Sequence, residues 1–141
     1  MKHLILSFCE LKSKDVRIVT QFLTTNTSLR VLDLSHNYLT ATGAIGMKKN
    51  IEKNRKLKVL LLSRNYLSNK GSKVLLDMMK QNGTIEMLAL DYNGVDDKAL
   101  LLEILKASEQ NTKGSASNKA RSIQEKFDQL KLEHEKLKNE F

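Results

Sequence analysis

Along this chain the apolar residues keep two rhythms in alternation. Leu4/Leu6, Leu32/Leu34, Leu60/Leu62 and Leu88/Leu90 are spaced by two, the period of a strand with one face buried. Between them Val19/Phe22/Leu23, Met47/Ile51 and Leu75/Met78/Met79 fall at three- and four-residue spacings, the period of a helix with one apolar side. The pattern predicts four short strands, each followed by a helix, the helices at about residues 15–25, 43–53, 71–81 and 97–109.

The alternation is a repeat. Leu29-Arg-Val-Leu32-Asp-Leu34-Ser-His-Asn37-Tyr-Leu39 aligns with Leu57-Lys-Val-Leu60-Leu-Leu62-Ser-Arg-Asn65-Tyr-Leu67 at an offset of 28 residues. The same offset leads forward to Ile85-Glu-Met-Leu88-Ala-Leu90-Asp-Tyr-Asn93-Gly-Val95 and back to Met1-Lys-His-Leu4-Ile-Leu6-Ser-Phe-Cys9-Glu-Leu11. Four units in register stack their Leu pairs into one continuous core.

Position nine of each unit holds Cys9, Asn37, Asn65 or Asn93, where the chain leaves the strand with its amides buried. An asparagine side chain both donates to and accepts from that backbone, and a thiol substitutes at the end of the ladder. Asn26, Asn54 and Asn82 recur just past the helices, with Gln110 in the fourth register. Gly43 and Gly71 share a register and read as the loop entering the helix, with Asp15 and Ala99 replacing them in the outer units.

These segments resemble leucine-rich repeats, L-x-x-L-x-L-x-x-N/C-x-L, and the 28-residue period resembles the ribonuclease-inhibitor-like subfamily. The resemblance covers about residues 1–111. It implies an α/β leucine-rich-repeat solenoid arc, with parallel strands on the concave side and helices on the convex side. The expected organisation is four repeats (1–28, 29–56, 57–84 and 85–111), a linker over 112–118, and a C-terminal amphipathic helix over 119–141.

In that last segment Ala116, Ala120, Ile123, Phe127, Leu130, His134, Leu137 and Phe141 alternate by four and three, a coiled-coil-like seam. The seam is read as pairing with a helix of another chain, with folding back as a cap over repeat four as the alternative. At the other end Met1 already occupies the first Leu register. Strand one is therefore expected to lack a cap, so that a longer array or a partner completes its edge.

Composition narrows the partners. The 24 Lys and Arg against 16 Asp and Glu give a net charge of +8. Of this, +6 lies on residues 1–111 and +2 on the remainder, which favours an acidic protein surface lying against the arc. No run of about 18 apolar residues occurs, so no membrane insertion is expected. Cys9 is the only cysteine, which excludes an internal disulfide and fits a reducing, intracellular and cytoplasmic setting; the start MKHLILSFCELK breaks at Ser7 and Glu10 and does not read as a signal peptide.

The register map names a candidate partner surface. Positions two, three and five hold Lys2/Arg30/Lys58/Glu86, His3/Val31/Val59/Met87 and Ile5/Asp33/Leu61/Ala89; position eight holds Phe8/His36/Arg64/Tyr92. The expected partner-binding residues on the concave face are Arg30, Val31, Asp33, His36, Lys58, Val59, Leu61, Arg64, Met87 and Tyr92, because aromatic, Arg and apolar side chains anchor protein interfaces. The helix is expected to contribute Ile123, Phe127, Leu130, Leu137 and Phe141.

No nucleotide-binding or nucleophile-elbow motif occurs, and His3, His36 and His134 fall in unrelated registers. No cofactor, metal or catalytic residue is therefore assigned. The expected function is a non-catalytic interaction or scaffold subunit of a larger intracellular assembly, cytoskeletal or ciliary by analogy. Two alternatives stand beside it: a leucine-rich-repeat fragment of a GTPase regulator or receptor, since Ran GTPase-activating proteins share such repeats, and an RNA-associated basic protein.

Overall fold

The computed structural model describes residues 1–113 and 117–140, with side chains described for 1–113 and 125–137. Ala116 and Phe141 lie outside the described residues, as do residues 114 and 115 of the expected linker and the side chains of Ala120 and Ile123.

Strands β1 (His3–Ile5), β2 (Val31–Asp33), β3 (Val59–Leu61) and β4 (Met87–Ala89) form one parallel sheet in chain order. Their register is the 28-residue offset itself: Leu4 faces Leu32, Leu32 faces Leu60, and Leu60 faces Leu88. Helices α1 (Ser13–Gln21), α2 (Ala41–Glu52), α3 (Ser68–Asn82) and α4 (Lys98–Lys113) follow the strands, and a short 3-10 turn at Phe22–Thr24 extends α1. Neighbouring helices pack on one another, so each repeat is a strand layer and a helix layer with the Leu stack between.

Leu32, Leu34, Leu60 and Leu62 are fully buried, and Val16, Met47, Ile51, Leu75, Met78 and Met79 close the core from the helix side. Two asparagine ladders tie the repeats together. In the first, Asn37 donates to the carbonyls of Leu6, Leu34 and Ser35 and accepts from the amides of Cys9 and Leu11. Asn65 and Asn93 repeat the pattern one and two units on. Cys9 ends the ladder with a single sulfur contact to the Ser7 carbonyl at 3.4 Å.

In the second ladder Asn54 donates to Leu23 and Asn26 carbonyls, and Asn82 to those of Ile51 and Asn54. The fourth rung is Asn111, which donates to Met79 and Ile85 carbonyls, where the register pointed to Gln110. Helix α4 runs on to Lys113 and departs from the strict period, so the neighbouring residue reaches the site.

The glycine expectation is also corrected. Gly43 and Gly71 lie inside α2 and α3, where a Cβ at Gly43 would sit 3.0 Å from Ser13 Oγ and one at Gly71 would sit 3.2 Å from Ala41 Cα. They allow adjacent helices to approach. The glycines at positive φ are instead Gly94, at 67° in the loop that leads to α4, and Gly83, at 72°, which ends α3 with its amide on the Met79 carbonyl.

Candidate functional site

The first site element is the row of residues that end the strands. Phe8, His36, Arg64 and Tyr92 all have φ between 54° and 58°, a left-handed conformation costing a non-glycine residue roughly 1–2 kcal/mol. Neighbouring repeats hold them there: Phe8, His36 and Arg64 donate their amides to the carbonyls of Ser35, Ser63 and Asp91. No glycine takes this register, and every side chain in it is a ring or a guanidinium.

These side chains form a stacked rim. Phe8 and His36 rings lie 4.0 Å apart and nearly parallel, and the Arg64 guanidinium lies 4.4 Å from the Tyr92 ring centroid, a cation–π contact. Phe8 is 71% exposed. Beside the rim, Tyr38 and Tyr66 stack on each other with planes 5° apart while staying exposed.

The second element is helix α5 (Ser117–Glu140), which packs on α4 and β4. Its described seam residues Phe127, Leu130, His134 and Leu137 are the half-buried positions of the helix. Phe127 meets the end of repeat four, in clefts shared with Met87, Leu90, Ile104 and Leu105. Farther along, Leu130, His134 and Leu137 overhang the strand face above Phe8, Asp33, His36, Leu61 and Ala89. The seam is thus turned toward the chain's own sheet. The side chain of Ile123 and the whole of Phe141 lie outside the described residues.

His134 joins the helix to the rim. Its ring lies 5.6 Å from that of Tyr92, its Nε2 is 4.0 Å from Asp91 Oδ2, and its carbonyl accepts from Tyr92 Oη at 3.4 Å. Across the cleft, His36 titrates below the usual histidine range, first because burial disfavours its charged form, then because Arg64 and His134 add positive charge; Asp33 opposes the shift.

The ten concave-face residues expected from the register do not act alike. Val31, Asp33, His36, Val59, Leu61, Arg64 and Tyr92 line the strand face or its rim, as the alternation requires. Met87 is only 2% exposed, because α4 and α5 cover repeat four. Arg30 turns its guanidinium back onto the carbonyls of Thr27 and Ser28, and Lys58 pairs with buried Glu86 at 2.9 Å. The sign change along this stripe serves the fold, so two of the expected partner cations are engaged within the chain. Phe8, Tyr38 and Tyr66, which their registers place at the same rim, complete it, the two tyrosines stacked on each other along the repeat edge.

Among the described residues no group of three or more His, Cys, Asp or Glu could hold a metal ion, and no described helix is long and apolar enough to cross a membrane.

A family model described as "Leucine Rich repeat" matches residues 25–47. No curated protein matches the chain. Among solved structures, leiomodin-1 actin-binding site 2 is similar with a TM-score of 0.58 and 14% identity, covering 91% of this chain and 88% of that one. The tropomodulin C-terminal domain from Caenorhabditis elegans is similar with a TM-score of 0.53 and 12% identity, covering 80% and 85%. The repeat signature, the parallel one-strand-per-repeat sheet and these shared folds together show that the chain has a leucine-rich-repeat fold.

Proposed function

We propose that the chain is a non-catalytic protein-binding module of an actin-based cytoskeletal assembly, and therefore intracellular, taking its partner on the concave face and along the rim from Phe8 to Tyr92. The observation that carries this reading is the rim itself. Four successive repeats hold a large ring or guanidinium side chain at positive φ, where glycine would relieve the strain. Rings and a guanidinium recurring in one register are residue types that anchor protein interfaces.

The actin setting is supported by the likeness to leiomodin-1, whose matching domain is described as an actin-binding site. The excess of +6 on residues 1–111 supports an acidic protein partner. Co-sedimentation of the full chain with actin filaments tests the reading, with Arg64→Ala as the comparison. The chain pellets with filaments and the variant pellets several-fold less. A chain that stays in the supernatant at every filament concentration overturns the actin reading.

A further inference from the structure

Helix α5 lies over the surface assigned to the partner, yet it fills that surface poorly. None of its described side chains is fully buried: Phe127, Leu130, His134 and Leu137 remain half-buried and Leu132 is 59% exposed. Between the helix and the sheet a cleft of about 190 Å3 stays open, lined by Leu130 and Leu137 above and Leu61 and Ala89 below. Protein interiors are packed far more closely than this.

The polar contacts are equally incomplete. Tyr92 Oη reaches the His134 carbonyl only at 3.4 Å, and the His134–Asp91 approach is 4.0 Å. Among the described residues, Arg64 Nε and His134 Nδ1 are shielded from solvent with no hydrogen-bond partner. Shielding a polar atom without a partner is unfavourable, and the docked helix carries that cost at His134 Nδ1. At the repeat-one end of the face, Ile5 and Phe8 remain 66% and 71% exposed, so α5 leaves this end of the surface open.

What α5 shows is the shape of ligand the surface accepts: a helix presenting apolar residues at three- and four-residue steps. We propose that the strand face beneath α5 is a groove for an amphipathic helix of a partner protein, and that α5 is the internal helix this partner displaces. The better ligand carries bulkier apolar residues at the positions of Leu130 and Leu137, to fill the cleft, and a side-chain acceptor for Arg64 Nε. The assignment rests on the reading of the concave face as the partner surface.

A fluorescein-labelled synthetic peptide of residues 117–140 supplies a helix in trans, and anisotropy reads its binding to the full chain. The wild-type chain, with its own α5 docked, binds weakly. A full-length chain carrying Leu130→Asp and Leu137→Asp binds the wild-type peptide about tenfold tighter or more, because the competing internal helix is gone. Adding Leu61→Asp on the groove floor removes that gain. If the double variant fails to fold by circular dichroism, His134→Ala, which deletes only the contacts to Asp91 and Tyr92, shows the same direction with a smaller gain.

The assignment is overturned if the released chain binds the peptide no tighter than wild type, if binding survives Leu61→Asp, or if the wild-type chain dimerises by exchanging α5 between copies. Peptide binding by a chain that never pellets with actin removes the cytoskeletal reading and leaves the groove standing. Pelleting with no groove-dependent peptide binding does the reverse.

Discussion

The two ends of this solenoid bury the same residue pattern to very different degrees. In repeat four Leu88 and Leu90 are 4% and 7% exposed, and the outward-facing Met87 and Ala89 are at least as buried. In repeat one Leu4 and Leu6 are half-buried, and Ile5 and Phe8 stand in solvent. The strands are in one register and of one length, so the strand itself does not set the difference. It comes from what lies beyond: α4 and α5 close one end with Phe127, whereas the edge of β1 has no neighbouring strand among the described residues. Burial in a stacked array is a property of neighbours, and position within the repeat determines only what each residue offers to them.

Substitutions along the Leu stack give the widest contrast. Leu60→Ala, in the middle, opens a cavity lined on both sides and costs about 3–4 kcal/mol, whereas Leu4→Ala costs about 1 kcal/mol because its site is already partly solvated. Urea unfolding of the two variants measures both values, and equal losses would show that the first repeat is as fully packed as the third.

The asparagine ladder sharpens the same comparison at smaller scale. Asn65→Ala strands the carbonyls of Leu34 and Leu62 and the amide of Leu39, a loss of about 2–3 kcal/mol. Cys9→Ala removes one 3.4 Å sulfur contact and shifts stability by less than about 0.5 kcal/mol. Thermal melts of the pair separate the two ends of the ladder.

The smallest effect is a pH dependence at the cleft. His36, faced by Arg64, Asp33, Glu133 and His134, has its pKa lowered in the folded chain. The unfolded chain therefore binds its proton first. Stability from this group is fully present above the ordinary histidine value of about 6.5 and is lost as pH falls through the lower folded pKa. Melting temperatures between pH 7.5 and 5 fall modestly in wild type, and His36→Gln removes the component due to this group.

Much of the fold was legible because it is periodic: the 28-residue offset puts Leu32 on Leu60 and Asn37 on the amides of Cys9 and Leu11 with no long-range guesswork. Where periodicity stops, so does legibility. Asn111 takes the rung expected of Gln110 because α4 is longer than the helices before it. Gly43 and Gly71 read as loop residues because close helix approach and turn formation use the same residue in the same register.

The candidate surface was legible only as a list of outward registers. Whether an outward residue is available depends on contacts the alternation does not encode: Arg30 bends back to its own turn, Lys58 meets Glu86, and Met87 lies beneath the covered end. The seam of α5 is the clearest case. Phe127, Leu130, His134 and Leu137 repeat by four and three whether their partner is another helix or a sheet, so the spacing marks the buried face and leaves its occupant open.

The docking of α5 across the strand face is the most consequential feature of the molecule, and Cys9 offers a direct way to measure it. This sole cysteine is exposed at the repeat-one end, and Leu132 is exposed on α5. Spin labels on Cys9 and on Leu132→Cys report the separation of the helix from the far end of the arc by pulsed electron resonance. A docked helix gives one narrow distance distribution that broadens when Leu130→Asp and Leu137→Asp are introduced. A broad distribution in the otherwise wild-type chain, unchanged by those substitutions, would contradict the docking of α5 on the strand face.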